Sequence, residues 1–232
     1  MKNLDLPITE QYIILELIGK KFAQNKKVKI GNSKIYSVAA ILVDLYLKDK
    51  IYFKENQKIV IKNSKLTGIE YNDIVLEVIK SKGLKELKKC TEYFYFHSKL
   101  LKDIYNCIIE SIINKGILKV QKEYSFFSGS KKTYIDYKNI GDLLIKKLRI
   151  ELLQDSYIST DTMYLSILLD NNKMLMTYFS QYDYNIIKNK MKTIYKKDES
   201  NKFKIVKKSI NNIESISILN FIVDIISSFI YI

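Results

Sequence analysis

Apolar residues recur along most of the chain at the three- and four-residue spacing of helices, and two places switch to short strand-like runs. Pro7, Thr9 and Glu10 announce a first helix with Ile13, Ile14, Leu17 and Ile18 on one stripe and Gly19 as its stop. A polar, basic loop from Gln24 to Asn32 follows, then a second helix from Ser33 to about Lys48 carrying Ile35, Val38, Leu42 and Leu45. The runs Lys50–Lys54 and Lys58–Lys62 flank Glu55-Asn56-Gln57 and predict a β-hairpin. Asp73 is expected to cap a helix that ends at Gly83, and a longer helix is expected from about Tyr93 to Lys115, closed by Gly116.

Two short strands, Ile117–Val120 and Lys131–Asp136, are predicted around the loop Ser125–Ser130. Helical patterning resumes near Tyr137 and continues through Leu152, then over Thr162–Phe179, Tyr184–Tyr195 and about Asn212–Ile230. No repeat of fixed period and no Pro- or Ser-rich linker divides the chain. The expected architecture is mainly α: a single-domain helical bundle over residues 1–232 with short inserted β-hairpins.

Composition changes this picture in one respect, which is charge. Against 25 Asp and Glu stand 39 Lys and Arg, a net charge of +14, and a field of that sign attracts phosphate-bearing surfaces. A biased genome, rich in Lys, Ile, Asn and Tyr codons, is expected to account for most of the total, so the placement of the lysines matters more than their number. Arg149 is the sole arginine, and lysine lacks the bidentate fork that reads guanine, which disfavours sequence-specific DNA binding. Cys90 and Cys107, 17 residues apart and placed within or beside one predicted helix, read as reduced core thiols. No N-terminal stretch has the features of a secretory signal, so a cytoplasmic location is expected. The apolar run Ile216–Ile232, at 17 residues and interrupted by Asn220 and Asp224, reads as a buried last helix.

Catalytic and cofactor signatures are missing. His97 is the only histidine, and no nucleotide, dinucleotide or zinc motif is present, so the chain reads as non-catalytic, with no cofactor and no metal. Asp155, Asp161 and Asp170 read as turn and cap residues. What remains is lysine in groups: Lys26, Lys27 and Lys29; Lys146 and Lys147 with Arg149; and Lys196, Lys197, Lys202, Lys204, Lys207 and Lys208.

Several stretches, taken together in order and spacing, resemble the Golgi phosphoprotein 3 family. They are Leu6-Pro7-Ile8-Thr9-Glu10; Leu42-Val43-Asp44-Leu45-Tyr46-Leu47-Lys48-Asp49-Lys50-Ile51; Asn114-Lys115-Gly116-Ile117-Leu118; and Asn139-Ile140 through Leu144-Ile145-Lys146-Lys147-Leu148. The likeness extends through Leu165–Phe179 into the C-terminal apolar segment. It implies a mainly helical domain that docks on the cytosolic face of membranes. The eukaryotic members bind phosphatidylinositol 4-phosphate and act as adaptors that retain glycosyltransferases in the Golgi. By the same resemblance the head-group pocket lies between the loop before the second helix, that helix, and the later Leu-Ile-Lys-Lys helix. The family's pocket Trp falls near Lys29, its Arg near Val38, and one later basic position at Leu143, with Lys146 and Lys147 beside it. The expected lipid-binding set is therefore Lys26, Lys27, Lys29, Lys146, Lys147 and Arg149.

The chain contains no Trp, which favours anionic phospholipid in general over selection of one phosphoinositide. It starts almost directly with the Leu-Pro motif and so resembles the bacterial-type members without the N-terminal tail. The family hairpin implicated in self-association corresponds to about Gln154–Thr162, which puts Tyr157 and Ile158 at an apolar tip and implies a homo-oligomer. The expected function is that of a peripheral membrane adaptor with an anionic lipid and a protein client as partners. The alternative is a winged-helix-like nucleic-acid binder using Lys119, Lys122, Lys131 and Lys132 of the hairpin after Gly116.

Overall fold

The computed structural model describes residues 5–26, 33–54, 56, 58–125, 129–198, 202–208 and 210. In chain order these form α1 (Ile8–Lys26), α2 (Ser33–Leu47), a hairpin of β1 (Ile51–Phe53) and β2 (Ile59–Ile61), and α3 (Glu70–Ser81). Next come α4 (Leu87–Phe96), α5 (Ser98–Asn114), a second hairpin of β3 (Leu118–Ser125) and β4 (Gly129–Asp136), and α6 (Ile140–Leu153). Then follow α7 (Thr160–Asn171), α8 (Leu175–Tyr178) and α9 (Gln181–Lys197), and residues 202–208 are helical too. The fold is mainly α with two small antiparallel two-strand sheets, as the hydrophobic pattern predicts.

Three stretches lie wholly inside, those of α2 and α7 because they are apolar on nearly every side and the first half of α1 despite four polar residues. Every residue from Ile8 to Glu16 of α1, from Ile35 to Leu45 of α2 and from Thr162 to Leu169 of α7 is buried. The amphipathic helices α3, α5 and α6 bury one stripe each and surround this centre. Because α1 is enclosed, its polar side chains need internal partners. Glu10, with no exposed surface, accepts hydrogen bonds from Tyr71 Oη (3.1 Å), Ser111 Oγ (2.8 Å) and Lys115 Nζ (2.7 Å). Tyr105 Oη donates to Glu16 at 2.6 Å, and Asn172 Nδ2 donates to Tyr12 Oη at 2.6 Å. The first turn of α1 is capped from a distance: Asp44 of α2 accepts the Ile8 and Thr9 N–H groups at 2.8 and 3.0 Å.

Several boundaries differ from the sequence expectation. Gly19 does not stop α1, which runs on to Lys26; the glycine makes room for Tyr178, whose Oη would lie 2.5 Å from an added Cβ. Asp73 does not precede α3 as its cap. It sits in the first turn and binds back to the Thr67 and Gly68 N–H groups at 2.6 and 3.1 Å. The long helix expected over Tyr93–Lys115 is two helices, broken at His97 (φ −99°, ψ 63°), whose Nδ1 lies 2.7 Å from the Tyr93 carbonyl and whose ring stacks on Tyr93. The cysteines accordingly belong to successive helices; both are free, Cys90 is fully buried, and burial pushes its thiol up to about 12. The stretch Thr162–Phe179 is also split, at Asn172 and Lys173 (φ +61°), where Asn172 turns inward to Tyr12. Gly116 (φ +65°) does end α5, and the hairpin after it is longer than expected, its ladder running from Leu118↔Asp136 to Ser125↔Gly129. The C-terminal helix expected over Asn212–Ile230 lies outside the described residues.

Two measurements test this core. Lys115→Met removes the cation from Glu10 and leaves only hydroxyl donors, so the chain should lose about 3 kcal/mol of unfolding free energy by chemical denaturation. Asp44 has its pKa raised to about 6 from 3.8, because burial outweighs the hydrogen bonds from Thr9 and Ile8 and the nearby Lys48 charge. The folded state then holds a proton that the unfolded chain has released, so between about pH 4 and pH 6 the Asp44 contribution to stability falls as pH rises. Asp44→Asn should flatten that part of the stability profile.

Candidate functional site

The basic groups singled out by sequence fall on different elements, and only some of their described members are engaged. Lys26 is the last residue of α1, and Lys27 and Lys29 lie outside the described residues. On α6, Lys147 is half-buried and pairs with Glu151 one turn on at 3.9 Å. Burial acts to raise the Glu151 carboxyl, but donation from the Ser159 backbone and from the Thr162 and Ser159 side chains, with the Lys147 charge, outweighs it and lowers the pKa. Arg149 donates to the Tyr178 carbonyl at 2.8 Å and lies over the Phe179 ring, 5.1 Å from its centroid. Its guanidinium thus fastens α8 to α6 while the residue stays exposed. Lys146 is different: it is exposed and has no ion pair among the described residues, and Leu143, one turn before it, is 42% exposed.

The position of α6 is set by Gly141. A Cβ there would fall 2.0 Å from Ile18 Cδ1 of α1 and 3.2 Å from an Asp136 oxygen, so only glycine admits this approach. Asp136, the last residue of β4, accepts the Gly141 N–H at 2.6 Å and does the work of a cap in place of Asn139, which is left-handed at φ +53°. Ile18 precedes Lys26 by eight residues, about 12 Å along the helix axis. The first turn of α6 therefore lies beside α1 two turns before the Lys26–Lys29 segment begins.

In the third group, Lys196 and Lys197 are exposed in the last turn of α9, where cations suit the negative helix end. Lys202 and Lys208 are also exposed, whereas Lys207 lies over the Tyr195 ring at 4.4 Å. Elsewhere on α9, Lys188 is bound to Asp170 at 2.8 Å and Lys190 donates to the Glu151 and Gln154 carbonyls, tying α9 to α7 and α6. Asp170 is thereby accounted for, since it also accepts Tyr184 Oη at 2.9 Å.

On the second hairpin, Lys122 stands opposite Lys132 and Lys131 opposite Glu123 in the ladder, and Lys119 Nζ sits 3.3 Å over the Tyr137 ring. The segment Gln154–Thr162 is not a hairpin. Gln154–Ser159 is a link without strands, cross-braced by Ser156 Oγ to the Ile150 carbonyl, and Thr160 already begins α7. Tyr157 there is 83% exposed, and Ile158 is half-buried against the core.

Among the described residues, no group of three His, Cys, Asp or Glu side chains is placed to hold a metal ion, and no helix is long and apolar enough to cross a membrane. No known family model matches this chain, and neither does any curated protein. Function is therefore read from geometry and charge.

Sequence reasoning passed over one further cluster. Lys54, Lys58, Lys80 and Lys85 line a single cleft of about 430 Å³ between β2 and the end of α3. The only trace of it in the sequence is that both short loops are bracketed by lysine; what joins the loops is tertiary.

Gly141→Ala should destabilise the chain by about 1–3 kcal/mol through overpacking against Ile18. Ile18→Val, which removes the clashing Cδ1, should restore part of that loss in the double variant, measured as a thermal shift.

Proposed function

We propose that this protein docks peripherally and reversibly on anionic membrane surfaces, with the outer face of α6 and the basic end of α1 toward the phosphates. The observation that carries the reading is Lys146: an exposed ammonium without an ion pair among the described residues, next to the exposed aliphatic Leu143, on a helix held against α1. A cation for the phosphate layer beside an apolar group for the boundary below it is the chemistry such docking requires. An anionic surface attracts each suitably placed lysine by about 1 kcal/mol, so a few suffice when the rest of the +14 charge adds a long-range field.

The resemblance to the Golgi phosphoprotein 3 family supports the same reading, since its implied head-group pocket uses the helix that carries Lys146 and Lys147. With no Trp in the chain, the proposed ligand is anionic phospholipid in general, phosphatidylinositol 4-phosphate included. The remaining surface is then free to hold a protein client, and no covalent step is part of the role.

Co-sedimentation with neutral vesicles, phosphatidylserine vesicles and phosphatidylinositol 4-phosphate vesicles, at low and moderate salt, tests the proposal. Binding should require anionic lipid and weaken with salt, and Lys146→Ala should lower the affinity about fivefold at low salt. Equal sedimentation with neutral vesicles, or none with any vesicle, would refute it.

A further inference from the structure

The cleft between β2 and α3 is built by pairing that neither element makes alone. Gly83 (φ +61°) turns the chain after α3, Leu84 N–H returns to the Ile79 carbonyl at 3.0 Å, and Ile59 N–H donates to the Lys85 carbonyl at 2.7 Å. Residues 84–86 thus run beside β2, extended by the bridge Lys58↔Glu86. Ile59, Ile61, Ile79 and Leu84 line the resulting space, which measures about 430 Å³, within the usual range of small-ligand sites.

Its chemistry is narrow. Apart from aliphatic side chains and Gly83, the described residues that line it are Lys54, Lys58, Lys80 and Lys85. All four lysines are exposed, and Lys54, Lys58 and Lys85 have no ion pair among the described residues; Lys80 has only a distant, exposed contact with Glu77 at 3.7 Å. Among the described lining residues there is no aromatic ring to stack on a base, and no carboxylate, amide or hydroxyl side chain to read a sugar or a neutral polar group. An inorganic anion would leave the aliphatic floor unused, and a neutral alkane the lysines.

We propose that this cleft binds a single-chain anionic amphiphile, an alkyl chain ending in phosphate or carboxylate, with the chain on the aliphatic floor and the head among the four lysines. The site shares no residue with the α6 face, so the two proposals stand or fall separately. Binding brings a counter-charge to four like charges crowded at one opening and removes aliphatic surface from water.

Isothermal titration of the full chain at low salt, below micelle-forming concentrations, tests this with hexyl, octyl and decyl phosphate, decanoate, octanol and inorganic phosphate. The alkyl phosphates and decanoate should bind, and affinity should rise about fourfold per added methylene. Octanol and inorganic phosphate should bind at least tenfold more weakly than octyl phosphate. Lys58→Gln/Lys85→Gln, with both changes on exposed side chains and the thermal midpoint as control for folding, should weaken decyl phosphate at least tenfold, and Lys146→Ala should not affect it. The proposal is overturned if decyl phosphate does not bind, if affinity is independent of chain length in the unaltered protein, or if the double variant binds as well as the parent.

Discussion

The structure depends on placing two carboxylates and a helix terminus inside an apolar centre. α1 is enclosed by α2, α5, α6, α7 and α8, yet it carries Glu10 and Glu16 on buried positions. A buried carboxylate without donors costs several kcal/mol, so the neighbours must deliver them. α5 supplies Ser111 and Tyr105, its C-cap residue Lys115 supplies the ammonium, and α3 supplies Tyr71. Asp44 completes the arrangement by taking the first N–H groups of α1. These bonds are directional, so they set the rotation and height of each surrounding helix where apolar contact alone would permit sliding.

That arrangement decides which charges reach solvent. Once α8 is pressed on α1 through Tyr178 and Gly19, its carbonyl end meets Arg149, and the one guanidinium of the chain becomes a brace. α9 is drawn in by Lys188 and Lys190, which bind Asp170 and the free carbonyls at the end of α6. Lysines spent on such bonds are held against the protein. Lys146, and the cluster around the β2–α3 cleft, face water because the elements beneath them are satisfied already.

The family resemblance and the geometry bear on different things. The resemblance rests on short apolar and turn motifs, the features that build a core. The Leu-Pro opening starts α1, the Asp44 segment caps it, Asn114–Leu118 forms the turn into β3, and the Leu-Ile-Lys-Lys stretch is the middle of α6. Binding surfaces are under no such packing constraint, and the positions to which the resemblance would assign the family's pocket residues hold Lys29, Val38 and Leu143. Val38 is fully buried on α2, so that position is part of the core.

Much of the fold was legible in order. The buried runs of α2 and α7, the glycine stops at Gly83 and Gly116 and both hairpins follow from apolar spacing and from glycine's access to positive φ, which are local properties of the chain. The site was legible only as groups of lysine. That Arg149 would be tied to Tyr178, that Lys147 would answer Glu151, that Gly19 would continue a helix, and that Lys54 and Lys85 would share a cleft were decided by tertiary contact. The physical reason is range: a helix or turn depends on neighbours a few residues away, whereas the exposure of a charge depends on whatever surface folding brings against it.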